Sequence, residues 1–159
     1  MRTTSRLPIP STVITHTLIG ALGFGAVSAV AGGMFALSGT APSNILVGTP
    51  FTSFVVPGLI LGLVVGGTQF AAAVAVIRAH PARLLLAAVA GFGMLIWIFT
   101  ELAMIGYYFL QTVYFTLGGV ELILVLALLG VAPSLLQPAP HLGTRHQASS
   151  GPPERTPAL

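Results

Sequence analysis

Two carboxyl groups carry whatever chemistry this chain can do inside its apolar runs. Glu101 sits in "WIFTELAMIGYY" (97–108) and Glu121 in "LGGVELILVL" (117–126), and the only other acidic residue, Glu154, lies near the C-terminus. A carboxylate at the centre of a bilayer costs ~2.5–3.5 kcal/mol on insertion scales, so such a placement needs a reason. Two carboxyls side by side in low dielectric cannot both ionise cheaply, and a protonated one can donate a hydrogen bond. The chemistry on offer is therefore a proton or cation site, an anchor for a ligand head group, or a hydrogen bond between helices. Trp97 and Tyr108 lie at i−4 and i+7 from Glu101, and Tyr114 at i−7 from Glu121. On continuous helices each shares its glutamate's face as a candidate ligand or hydrogen-bond partner. If the connection between the two helices is centred near residues 109 and 110, the carboxyls are offset by about 3 residues, or ~4.5 Å. The expectation is a Glu101–Glu121 pair in the half of the bundle nearer the outside.

The elements that would position this pair follow from composition. Of the 159 residues, 55% are hydrophobic and 6% charged, against about 25% charged in ordinary soluble domains. So little charge cannot cover a surface in water; the partner of most of this surface is the lipid bilayer. Apolar runs at about 13–37, 54–79, 84–106 and 112–131 are each long enough to span a hydrocarbon core, which takes ~20 residues. Their length and continuity read as helices rather than barrel strands. The fold class is all-α, a four-helix transmembrane bundle over residues 1–132. Pro57 and Pro81 are read in the first turns of the second and third helices, and Pro133 as the stop of the fourth. The remainder, 133–159, holds six prolines among Ser, Gly, His and Gln and reads as a disordered tail, its His141 and His146 as solvated side chains.

Arginines set the orientation. Arg2 and Arg6 precede helix 1, Arg78 and Arg83 bracket the second connection, and Arg145 and Arg155 lie in the tail. The connections 38–53 and 107–111 carry no charge. All six positive charges fall on one side, which makes both termini cytoplasmic in a multi-pass protein of the inner membrane. The basic start and the stretch "SAVAGG" (28–33) resemble a signal peptide cleaved after Ala31, but the apolar run continues to Leu37, beyond the 7–15 residues of a signal core. The outer connection 38–53 reads as a strap over the mouth of the bundle.

Small residues say how the helices meet. Gly58, Gly62 and Gly66 form a doubled GxxxG ridge, and Ala21, Gly25, Ala29 and Gly33 repeat the spacing on helix 1. These ridges pack helices within one chain or, as the sharper alternative, against a second copy or another membrane protein. Gln69 lies well inward of Glu101 and is expected to bond to a neighbouring helix. His16 reads as interfacial, and Trp97 with Tyr107, Tyr108 and Tyr114 as an aromatic belt. The scattered arginines form no nucleic-acid patch. No cysteine is present, so thiol chemistry is excluded, and no histidine cluster, nucleophile–base set or nucleotide loop points to a metal, a cofactor or an enzyme.

"PGLILGLVVGG" (57–67) and "WIFTELAMIGYYFLQTVYFTLGG" (97–119) resemble a family of small four-helix bacterial membrane proteins, most like those of actinobacteria, over roughly residues 45–130. The most specific part is W-I-x3-E-x4-G-x4-L-Q-x2-Y-F from Trp97 to Phe115. In that family the position of Glu101 is a glutamine or a glutamate, which implies that hydrogen bonding is what the position requires. The acidic residue common before the Pro-Gly is missing here. A looser architectural likeness to DoxX-like membrane proteins implies only a fold. Three functions remain open: a non-enzymatic accessory protein or subunit, a small transporter or proton-coupled permeation unit using both glutamates, and a lipid- or quinone-binding helper.

Overall fold

The computed structural model describes residues 10–40, 42 and 46–130. The readings that concern Arg2, Arg6, Pro133, Arg145, Arg155 and the tail 133–159 lie outside the described residues. Four helices long and apolar enough to cross a membrane make up the fold: α1 (Ser11–Leu37), α2 (Val55–Ile77), α3 (Arg83–Ile105) and α4 (Phe109–Leu128). Among the described residues there is no strand. The architecture is the all-α, membrane-spanning bundle that the composition demands.

Hydrophobicity is distributed for lipid. Phe24, Val27, Leu63, Phe70, Ile96, Phe99 and Ile123 point outward and are more than half exposed, which water would not tolerate over so wide an area. Hydroxyls on the same helices bond back into their own backbone: Thr15, Thr17, Ser28, Thr100 and Thr116 each donate to the carbonyl four residues earlier. That removes a polar group from lipid without a partner helix.

The interior has two apolar layers. One, towards the end that carries Arg78 and Arg83, is built on Leu18, Leu22, Ala72, Val76, Ala87, Ala90 and Val125. The other, towards the strap, is built on Ala29, Val65, Met94, Trp97 and Ile98. Trp97 is thus a core residue at 8% exposure, not a member of a boundary belt. The periodicity of a buried face takes it inward.

All five packing glycines lie at contacts between helices of this one chain. A Cβ on Gly33 would stand 2.7 Å from the Gly58 carbonyl and 2.8 Å from the Gly62 backbone. One on Gly66 would meet Val30 at 2.9 Å, and one on Gly25 would meet Gln69 and Met94 at 3.1 and 3.2 Å. "SAVAGG" is therefore continuous helix packed on α2. Between Ile60 and Val65, α2 opens into π-helical turns, a local widening the regular apolar run does not announce.

The connections also differ from expectation. α2 ends in a Schellman cap, with His80 N–H bonded to Ala75 O at 2.9 Å and Ala79 N–H to Val76 O at 3.1 Å. Ala79 takes the left-handed position at φ 51°, where glycine is the usual choice. Pro81 lies in this turn and α3 begins only at Arg83. α3 stops at Gly106, whose φ of 76° reverses the chain, and α4 starts at Phe109, three residues before the expected 112.

Gly33→Ala forces two backbones apart and is expected to cost ~1–3 kcal/mol. Gly23, on the same helix, has nothing within 4 Å of its Cβ position. Gly23→Ala should be neutral or stabilising by up to ~1 kcal/mol through helix propensity. Thermal unfolding in detergent micelles by circular dichroism checks both.

Candidate functional site

Between the two apolar layers lies one polar contact that joins three helices and abuts the fourth. Gln69 on α2 and Glu121 on α4 are both fully buried. The Gln69 amide donates to Glu121 Oε2 at 2.9 Å and approaches the Ala90 carbonyl of α3 at 3.5 Å. α1 closes the site with Gly25, whose missing side chain leaves room for the Gln69 amide group. Gln69 Oε1 and Glu121 Oε1 have no hydrogen-bond partner.

Glu101 is elsewhere. Because Gln69 reaches both Ala90 and Glu121, those two residues are level. Glu101 is eleven residues further along α3 (101 − 90 = 11), ~16 Å at 1.5 Å per residue. The expected Glu101–Glu121 pair is therefore not formed, and the carboxyls lie in opposite halves. The reason is register. Moving the start of α4 forward to Phe109 brings the centre of the connection to about residue 107 and widens the offset from about 3 residues to about 8, ~12 Å, most of the separation. Gly91 and Gly118 then let α3 and α4 close, each Cβ position 3.3 and 3.2 Å from the other's carbonyl. Glu121 is drawn down to Gln69, while Glu101 stays about one turn from the strap end.

There Glu101 lines two cavities. The first, ≈ 210 Å³, lies under the strap between Phe35, Phe51, Phe54, Leu61, Trp97 and Glu101, with Pro42, Leu46 and Thr49 above it. The second, ≈ 130 Å³, lies between α1, α3 and α4 and shares Leu61, Trp97 and Glu101 with the first. Tyr114 and Gln111 line the second. The Trp97 indole sits beside the Glu101 carboxyl, yet its Nε1–H is buried without a partner in hydrogen-bond geometry. Gln111 is fully used by the chain reversal, accepting from Tyr108 N–H at 3.0 Å and donating to Gly106 O at 3.1 Å.

Of the sequence candidates, Trp97 and Tyr114 join Glu101 at the cavities, while Tyr108 does not. With α3 ended at Ile105, Tyr108 no longer shares the helical face of Glu101; it is 49% exposed and lines neither cavity. His16 is exposed on α1. Gln69 is the site residue whose partner the sequence reading missed. The sequence does carry the signal, a lone amide in the apolar run of α2 whose only polar neighbour, Thr68, bonds back to its own helix. No protein-family model, curated protein or solved structure matches the chain. Among the described residues no three potential metal-binding side chains of His, Cys, Asp or Glu come together.

Glu121→Leu leaves the Gln69 amide buried without its partner and should destabilise the bundle by ~1–3 kcal/mol. Glu121→Gln, which keeps an acceptor for that amide, should cost clearly less. Chemical or thermal unfolding of the two variants in one detergent makes the comparison.

Proposed function

We propose that this is a small-molecule-binding protein of the cytoplasmic membrane, its site the pair of cavities that meet at Trp97 and Glu101. The observation that carries this reading is an unpartnered, buried indole N–H beside a carboxyl, both lining partly open apolar cavities. Binding sites are mostly apolar concavities with a few convergent polar groups, and an intramembrane ionisable residue is a functional candidate. Glu121 is spent on Gln69; Glu101 is not. Pro42, Leu46, Thr49 and Phe51 of the strap complete the wall of the first cavity. Both termini are placed in the cytoplasm on the strength of the arginine distribution.

Two other readings have less behind them. The glycine ridges that suggested a partner subunit are occupied inside this chain, though an open apolar groove between α1 and α2, lined by Val30, Met34, Gly62, Leu63, Gly67 and Phe70, keeps an accessory role in view. Transport through both carboxyls would have to bridge ~16 Å of helix axis, past Met94, Trp97 and Ile98. The likeness to small four-helix bacterial membrane proteins brings no activity with it, and the looser likeness to DoxX-like proteins is one of architecture alone.

Trp97 is the only tryptophan in the chain, so its emission reports on the site alone. p-Bromobenzyl alcohol, a ring small enough for the first cavity and a quencher of indole fluorescence, should quench it with a saturable curve in detergent micelles. Quenching that rises linearly with partitioning into the micelle, with no saturation, would count against a bound state.

A further inference from the structure

We infer that the occupant of the strap-covered cavity is a monovalent organic cation with a compact apolar body. This rests on the reading of the cavity as a binding site and goes further by naming the chemical class. Glu101 is the one acidic side chain in the lining of either cavity, and neither lining contains an arginine, lysine or histidine. Among the described residues a carboxylate there meets no positive partner in either lining, and a half-buried charge gains from being paired. A bound cation would supply that charge.

The walls select the kind of cation. Phe35, Phe51, Phe54 and Trp97 contribute four aromatic rings around the space that Glu101 enters. Ring faces attract a weakly hydrated cation, most strongly where water is excluded. A small inorganic ion fits poorly. Divalent hard cations need about six or more oxygen ligands, and the lining offers one carboxyl, one threonine hydroxyl and the backbone. The Trp97 N–H, buried beside the carboxyl without a partner, is placed to turn towards Glu101 and hold it as the negative pole once a cation arrives. Size agrees as well. Since a dry cavity of about 150 Å³ holds benzene, one of ≈ 210 Å³ accommodates on the order of ten heavy atoms, and the adjoining cavity gives a substituent somewhere to go.

The test titrates the full chain in detergent micelles with phenyltrimethylammonium and, separately, with its neutral isostere tert-butylbenzene, reading Trp97 emission. The expected result is saturable binding of the cation, at least about tenfold tighter than the isostere. Glu101→Gln should bring the cation down to the isostere's level and leave the isostere unchanged, while Glu101→Asp, which keeps the charge, should retain the preference. Unfolding curves matching the parent show that the variants are folded. Equal binding of both compounds, untouched by Glu101→Gln, would overturn the cation assignment and leave the binding site standing. No saturable response to either compound would overturn both.

Discussion

In lipid, four apolar helices gain nothing by hiding from their surroundings, and this bundle depends on what takes the place of that drive. Close backbone approach is one substitute. α1 and α2 meet where Gly33 faces Gly58 and Gly62, and α3 and α4 where Gly91 faces Gly118. Such contacts are shallow individually and work because no side chain keeps the backbones apart. They do not by themselves choose a register. The Gln69–Glu121 hydrogen bond does, since sliding α4 by a turn would strand an amide and a carboxyl in hydrocarbon.

That single polar contact explains why the two glutamates lead different lives. The amide–carboxyl contact fixes Glu121 between the two apolar layers and closes the bundle centre, with Gly25 and Ala90 completing its surroundings. Glu101 is carried towards the strap end, where it lines two cavities, the first of them bounded by the strap. One carboxyl holds the scaffold and the other lines two partly open cavities.

The fold was legible because the bilayer writes it in large letters: low charge, four long apolar runs, proline and glycine punctuation. The packing glycines were legible too, since only small residues at intervals of four permit such approach. What failed was the meeting of Glu101 with Glu121, and it failed through a small error with a large lever. Tyr108 and Gln111 look like loop residues. Instead Gly106 turns the chain at once, Gln111 ties the turn, and α4 begins earlier. A shift of about three residues in a helix start moves the register of a whole hairpin. The π-helical turns at Ile60–Val65 were not legible either, because hydrophobic periodicity does not distinguish a locally widened turn from a regular one in a run apolar on every side.

The central claim, that Gln69 and not Glu101 is the partner of Glu121, is tested most directly by double-mutant cycles in unfolding free energy. Gln69→Leu with Glu121→Leu should show a coupling energy of about 0.6–1.7 kcal/mol, the range of measured hydrogen bonds between membrane helices. Glu101→Leu with Glu121→Leu should be additive. Additivity in the first cycle together with coupling in the second would contradict the account and restore the paired carboxyls.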